Sequence, residues 1–214
     1  FKTEAEFEAA MIAALQNKGW ESQVLKYPTE DTLLKNWANI LFENNRGIDR
    51  LNDAPLTDTE MQQILEQVLA LRTPLKLNGF INGKTVSITR DNPDDPFHLG
   101  KEVSLKIYDR REIAAGQSRY QIAQQPKYKS KSKILNDRRG DLMLLINGMP
   151  VFHLELKKSG IPVSQAHYQI EKYSDEGIFT GIFSLVQIFV AMQPEETVYF
   201  ANPGPDGVFN KDFY

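Results

Sequence analysis

The chain has 214 residues, of which 41% are hydrophobic and 25% charged, and carries a formal net charge of -3 at pH 7. This length fits one large domain or two small ones and is enough to hide roughly 70% of the extended chain's surface. The mild acidity excludes a globally basic nucleic-acid binder, so any grip on phosphate must come from a local patch, and the absence of cysteine excludes disulfides and thiolate metal sites.

With three histidines and no thiol, carboxylate oxygens are the natural metal ligands and a hard cation the natural metal. No basic stretch precedes an apolar one at Phe1, so no signal peptide is expected. The most apolar stretch, 177–192, is short and interrupted by Thr180, Ser184 and Gln187, which argues against a membrane span. The expected location is the cytoplasm.

In chain order, residues 3–18 predict a helix with Phe7, Met11, Ala14 and Leu15 at helical spacing, opened by a Thr3/Glu6 capping box and stopped by Gly19. Helical patterns follow over 31–45 and 58–71, expected to form a peripheral helical insertion at 31–72. Alternating strands are expected at 85–89 and 103–108, on either side of a turn-rich segment at 91–96, with another at 120–124. Gly79 to Thr85 is one residue short of a phosphate loop and runs into a strand-like segment, so it reads as a turn. The clearest pair is 142–146 and 151–157, joined by Asn147-Gly148, a strong hairpin signal. A helix over 163–175 and strands near 185–191 and 197–201 complete an α/β pattern: a mixed sheet carrying the hairpin, flanked by the first and last helices.

Glu155-Leu156-Lys157 lies on the second hairpin strand and is the only acid-x-lysine triplet in the chain. Residues two apart on a strand share a face, so Glu155 and Lys157 stand together while Leu154 and Leu156 face the core. A carboxylate that can hold Mg²⁺ beside an ammonium that can stabilise developing charge suits metal-assisted phosphodiester cleavage. The plain alternative is a solvated face or a cross-strand ion pair. The preceding strand opens with Asp141. A two-residue turn at Asn147-Gly148 would set Asp141 against Leu154. Bringing both acids to one face therefore requires a one-residue offset, from a longer loop or a bulge at Gly148, or else a strand break before Leu142.

Gln165, Gln169 and Tyr173 form one polar stripe on the following helix, able to contact phosphate; the plain alternative is an exposed polar face. Lys127, Lys129, Lys131 and Lys133 alternate just before Arg138 and Arg139, with Tyr128 opposite. They form either a basic ridge for duplex phosphates or a protective lysine-rich edge. His98, His153 and His167 show no ligand spacing. His153 shares the face of Glu155, which allows a site-lining role, but is read as structural, and Pro93-Asp94 sits in a turn too far upstream to serve the site.

Asp141, Glu155-Leu-Lys157 and Gln169-Ile-Glu-Lys-Tyr173, with the hairpin running from Asp141 to Lys157, resemble the nuclease core of the restriction (motor) subunit of type I restriction-modification enzymes. That family belongs to the PD-(D/E)xK nuclease superfamily. The close resemblance covers about 138–173, with a weaker one at 4–20, and departs in having Gly140 where the motif has proline. It implies a restriction-endonuclease-like fold over 1–214 as one endonuclease domain, a fragment of a longer chain with downstream ATP-dependent motor domains. It implies Asp141 and Glu155 as ligands of Mg²⁺ (or Mn²⁺), Lys157 as the catalytic lysine, and Gln169 and Tyr173 as supporting, DNA-proximal residues. It also implies an acid from the first helix, Glu8 by spacing, with Glu4 as rival. Implied partners are double-stranded DNA and the methylation and specificity subunits, with ATP not bound by this segment. Other readings are a superfamily nuclease for repair or junction resolution, a non-catalytic DNA-binding or subunit-docking module, and an α/β scaffold with a fortuitous acid cluster.

Overall fold

Helix α1 (Glu4–Asn17) starts where its capping box does: Thr3 Oγ1 accepts from the Glu6 N–H at 3.1 Å, and Glu6 Oε2 accepts from the Thr3 N–H at 3.3 Å. Both bonds satisfy donors that the first helical turn would leave unpaired. The computed structural model describes residues 1–71, 74–81, 83–108, 116–130, 136–204 and 207–209. The chain divides into two compact units, Phe1–Glu30 with Arg119–Tyr214, and Asp31–Ser118.

The first unit is built on a six-stranded mixed sheet. Its strands are β1 (Leu25–Lys26), β4 (Tyr120–Gln124), β7 (Leu142–Ile146), β8 (Met149–Leu156), β9 (Ile188–Gln193) and β10 (Glu196–Ala201), side by side in that order. The β1–β4 and β8–β9 pairs are parallel and the others antiparallel. On one face Phe7 of α1, with Met11, Ile12 and Leu15, packs on Ile122, Leu142, Leu144, Leu154 and Leu156. Burying such side chains stabilises the layer by about 1.5–3 kcal/mol each. Helix α5 (Val163–Asp175) packs against β8 and β9. A two-stranded ribbon, β5 (Lys127–Tyr128) with β6 (Arg138–Arg139), leads into β7. This is the α/β fold the pattern predicts, a mixed sheet flanked by helices.

The strand after α5 begins later than predicted. Residues Gly181–Leu185 instead form a 3-10 turn, held by the Ser184 hydroxyl on Gly181 O and by the Ile182 N–H on Glu30 Oε1. β9 starts at Ile188, which lies opposite Phe152 of β8.

The second unit contains α2 (Glu30–Asn44, all but its first residue), α3 (Asp58–Leu69), α4 (Pro74–Ile81) and the antiparallel pair β2 (Thr85–Thr89) and β3 (Glu102–Lys106). It takes in the helices of the expected insertion and continues through both strands to Ser118. Helix α4 absorbs Gly79, which was expected in a turn. Proline is well placed as its first residue, and the turn comes at Gly83, whose φ is 91°. Arg90 is wholly buried and paired with Glu60 at 2.6 Å and Asp95 at 3.2 Å. It also donates to the carbonyls of Ala54 and Leu51 at 2.8 and 3.2 Å, which satisfies a charge that could not otherwise be buried. Among the described residues no helix is long and apolar enough to cross a membrane.

Candidate active site

The hairpin turn is the two-residue Asn147-Gly148 loop, with φ of 51° and 83°, so that Ile146 lies opposite Met149 and Leu145 opposite Pro150. Left uncorrected, that register would place Asp141 across from Leu154. It shifts by one between Leu144 and Leu145, so Leu144 faces Phe152, Met143 faces His153 and Leu142 faces Leu154. The ladder ends there, with Asp141 in a bend just before β7, so the strand break named as the alternative is present too; extending the same register by one residue would set Asp141 opposite Glu155. The predicted offset is therefore present, as a bulge at Pro150-Val151 rather than at Gly148. A bulge is one of the few places where a strand in mid-sheet tolerates proline, which has no N–H for the ladder.

On the α5 side of the sheet, the acids and lysine are joined by a continuous network. The Gln169 amide bridges it, with Nε2 donating to Glu155 Oε2 at 2.8 Å and Oε1 accepting from Lys157 Nζ at 2.9 Å. The same Nε2 lies 2.9 Å from the Tyr173 hydroxyl, which donates to Arg139 O at 3.2 Å. Asp141 Oδ2 accepts from the Leu156 N–H at 2.7 Å, fixing it to the strand that carries Glu155. Lys157 also lies 3.5 Å from Glu4 Oε1, and its backbone N–H donates to Met192 O at 2.8 Å, holding the end of β8 to β9.

Glu155 is fully buried, and this dominates the electrostatics. Burial pushes the Asp141 carboxyl up to about 8, and the Glu155 charge adds to the shift, against the Leu156 N–H and Lys157. Burial likewise pushes Glu155 up to about 8, with Lys157 and Asp141 opposing and Glu4 adding. Two carboxyls this close share a proton or need a cation. Among the described residues no group of three or more His, Asp or Glu side chains forms a metal cage. The pair still fits magnesium, which keeps several waters and takes one or two protein carboxylates together with substrate phosphate.

The other predicted residues are distributed around this network. Glu8 is buried on the α1 side, where Oε1 accepts from Gln124 Nε2 at 2.6 Å and from Gln125 Nε2 at 3.2 Å. It is one step from Asp141, whose carbonyl accepts the Gln125 N–H at 2.7 Å. Of the two first-helix acids, Glu4 is the one beside Lys157. Gln165 is exposed at the outer end of the stripe that Gln169 and Tyr173 turn inward. Lys127, Lys129 and Arg139 are exposed, and Lys127 pairs with Arg139 across the β5–β6 ribbon. Arg138 is instead clamped to Glu176 by bonds of 2.7 and 2.8 Å. Lys131 and Lys133 lie outside the described residues.

Two further residues line the site, His153, whose shared face with Glu155 was legible, and Tyr128, whose part in the site was not. His153, read as structural, has Nε2 at 2.9 Å from Glu155 Oε1, and its Nδ1 is 2.9 Å from the hydroxyl of buried Tyr128. Burial pushes His153 down to about 4, so the ring is neutral at physiological pH. The same pair accounts for Gly140 before the aspartate: a Cβ there would lie 2.7 Å from His153 Cε1 and 3.0 Å from the Tyr128 hydroxyl. The signal available in sequence was a histidine two residues before Glu155 on the same strand face; its partner came from β5.

Comparison with known proteins finds restriction-enzyme subunits. The family described as "Type I restriction enzyme R protein N terminus" matches residues 1–207. Similar proteins include the type I restriction enzyme SsaAORF53P endonuclease subunit of Staphylococcus saprophyticus, 31% identical over 94% of this chain and 20% of that protein. The SauMSSORF170P endonuclease subunit of Staphylococcus aureus is 28% identical over 100% of this chain and 21% of its own length. The EcoprrI endonuclease subunit of Escherichia coli is 27% identical over 94% of this chain and 59% of that protein. The chain thus spans about a fifth of the staphylococcal relatives it matches. With the match running over nearly all of its length, the chain belongs to the family of type I restriction enzyme R protein N-terminal regions.

Proposed function

We propose that this chain is the endonuclease domain of a type I restriction enzyme, acting in the cytoplasm on double-stranded DNA and hydrolysing its phosphodiester bonds. The observation that carries the reading is the one-residue bulge in β8, because it brings Asp141 to the face of Glu155 and Lys157, under the Gln169 amide. Asp141 and Glu155 would hold the divalent cation, which when bound supplies charge neutralisation and Lewis-acid polarisation at the phosphate. Lys157, held by Gln169 and Glu4, presents its ammonium where negative charge develops. Gln169 keeps Glu155 and Lys157 at fixed separation, so that neither collapses onto the other. Lys127, Lys129 and Arg139 offer phosphate contacts, and Arg139 is tied to the site by its carbonyl on Tyr173. ATP use is assigned to the part of the full-length subunit outside this chain, and methylation and sequence choice to partner subunits.

The test uses the full-length subunit in the assembled enzyme, with circular plasmid DNA. Asp141→Asn, Glu155→Gln and Lys157→Ala are each expected to abolish cleavage while DNA binding persists. Retained cleavage in all three would end the proposal. A parent protein that binds DNA but never cuts it under Mg²⁺ or Mn²⁺ would leave the docking-module reading instead.

A further inference from the structure

Both oxygens of Glu155 are met by nitrogens from different elements: Gln169 Nε2 donates to Oε2 at 2.8 Å, and His153 Nε2 lies 2.9 Å from Oε1. When Glu155 is ionised, as a metal ligand must be, its oxygens only accept, so Nε2 carries the ring proton and Nδ1 is left as an acceptor. The Tyr128 hydroxyl, 2.9 Å from Nδ1, must then donate. The result is a one-directional line, from Tyr128 to His153 to Glu155, that fixes the histidine tautomer from behind. The ring has little freedom otherwise. Phe179 and Phe189 meet it edge to face at centroid distances of 5.1 and 6.0 Å, and Gly140 passes its Cε1 with no room for a side chain. All three residues of the line are buried to within 1% of full burial, so no water competes for these bonds.

We propose that His153, held in one tautomer by Tyr128, is a positioning residue for Glu155: its Nε2–H pins Oε1 and thereby aims the carboxylate's free lone pairs toward the space shared with Asp141. This rests on the reading of Glu155 as a site acid. Ligand carboxylates are commonly oriented by such outer hydrogen bonds, and losing one lowers metal affinity or activity by about 10–100-fold. Gly140 belongs to the same device, leaving the space the histidine ring needs beside the aspartate.

The experiment compares His153→Leu, His153→Gln and Tyr128→Phe in the full-length subunit. Mn²⁺ binding is read by electron paramagnetic resonance, and plasmid cleavage is followed against metal concentration. Leucine keeps apolar bulk and loses both bonds, so Mn²⁺ affinity and sub-saturating cleavage should fall by about 10–100-fold with DNA affinity unchanged. Glutamine can accept from Tyr128 and donate to Glu155, so it should recover most of the loss. Tyr128→Phe removes one oxygen and almost no packing, and should weaken Mn²⁺ binding measurably even if the leucine variant fails to fold. Equal losses in the glutamine and leucine variants, or parental Mn²⁺ affinity in the phenylalanine and leucine variants, would overturn the inference. Asp141→Asn and Lys157→Ala separate the two levels. If both still cleave, the site reading itself fails; if both are dead while the His153 and Tyr128 variants bind metal as the parent does, only the positioning role fails.

Discussion

Gly140→Ala isolates a steric demand from a backbone one. Gly140 is not among the residues with positive φ, so alanine can adopt its backbone without strain and any cost comes from space. The new methyl would sit 2.7 Å from His153 Cε1, against the 3.4 Å at which ordinary contact begins, so the ring must retreat by about 0.7 Å. Its bonds to Glu155 and Tyr128 are each 2.9 Å, and a retreat of that size takes at least one of them to about 3.6 Å, beyond hydrogen-bonding range. Overpacking of about 1–3 kcal/mol, together with a weakened buried hydrogen bond of about 0.5–1.5 kcal/mol, puts the expected loss at about 1.5–4.5 kcal/mol. Thermal unfolding of the full-length protein should register this as a drop of roughly 2–4 °C per kcal/mol in the transition of this domain. Cleavage should fall with it. The diagnostic step is a double-mutant cycle with His153→Ala: once the ring is gone the methyl has room, and most of the cost should vanish. A Gly140→Ala penalty that is the same in both backgrounds, or no penalty at all, would refute the reasoning.

Four further outcomes are expected. The raised carboxyls of Asp141 and Glu155 favour the protonated folded state, so their stabilising effect is complete below their ordinary values near 4 and is lost as the pH climbs toward about 8. Metal-free protein should therefore melt lower at pH 8 than at pH 6, and Mg²⁺ should raise the melting temperature more at pH 8; a Mg²⁺ gain independent of pH would contradict this. Gln169→Leu removes the bridge between Glu155 and Lys157 and should cut the cleavage rate by about 10–100-fold while leaving DNA affinity near parental, as read by filter binding. Replacing Lys127 and Lys129 by alanine should weaken binding to all DNA sequences alike and lower the slope of log affinity against log salt by about 2, measured by fluorescence anisotropy; an unchanged slope would assign these lysines to edge protection. In the second unit, Arg90→Met leaves Glu60 and Asp95 buried without their cation and should destabilise that unit by about 3–5 kcal/mol, detectable by limited proteolysis within 31–118.

The sequence by itself determined what depends on near neighbours along the chain. The Thr3/Glu6 capping box, the Asn147-Gly148 turn and the shared face of Glu155 and Lys157 follow from local geometry, since hydrogen-bond reach and side-chain periodicity operate over two to four residues. The need for an offset in the hairpin, or a strand break before Leu142, was also legible, because a two-residue turn with strict alternation would leave Asp141 and Glu155 on opposite faces. Its location was not, since a bulge can relieve the register anywhere along the strand, and here it falls at Pro150.

Only the tertiary structure decided which long-range partners meet. Tyr128 and His153 are 25 residues apart in sequence and bonded in space, and Gly140 is glycine because of both. Gln169 faces the acids because α5 packs on β8 and β9, whereas Gln165 on the same stripe stays exposed. Glu4 reaches Lys157 while Glu8 is taken up by Gln124 and Gln125, a choice set by how α1 lies on the sheet rather than by spacing to Gly19. Arg138, counted with the basic ridge, is neutralised by Glu176 from the end of α5. Each of these outcomes depends on elements distant in sequence being brought together, and where the partners are buried, as Tyr128, His153 and Glu155 are, no water is left to replace the bond.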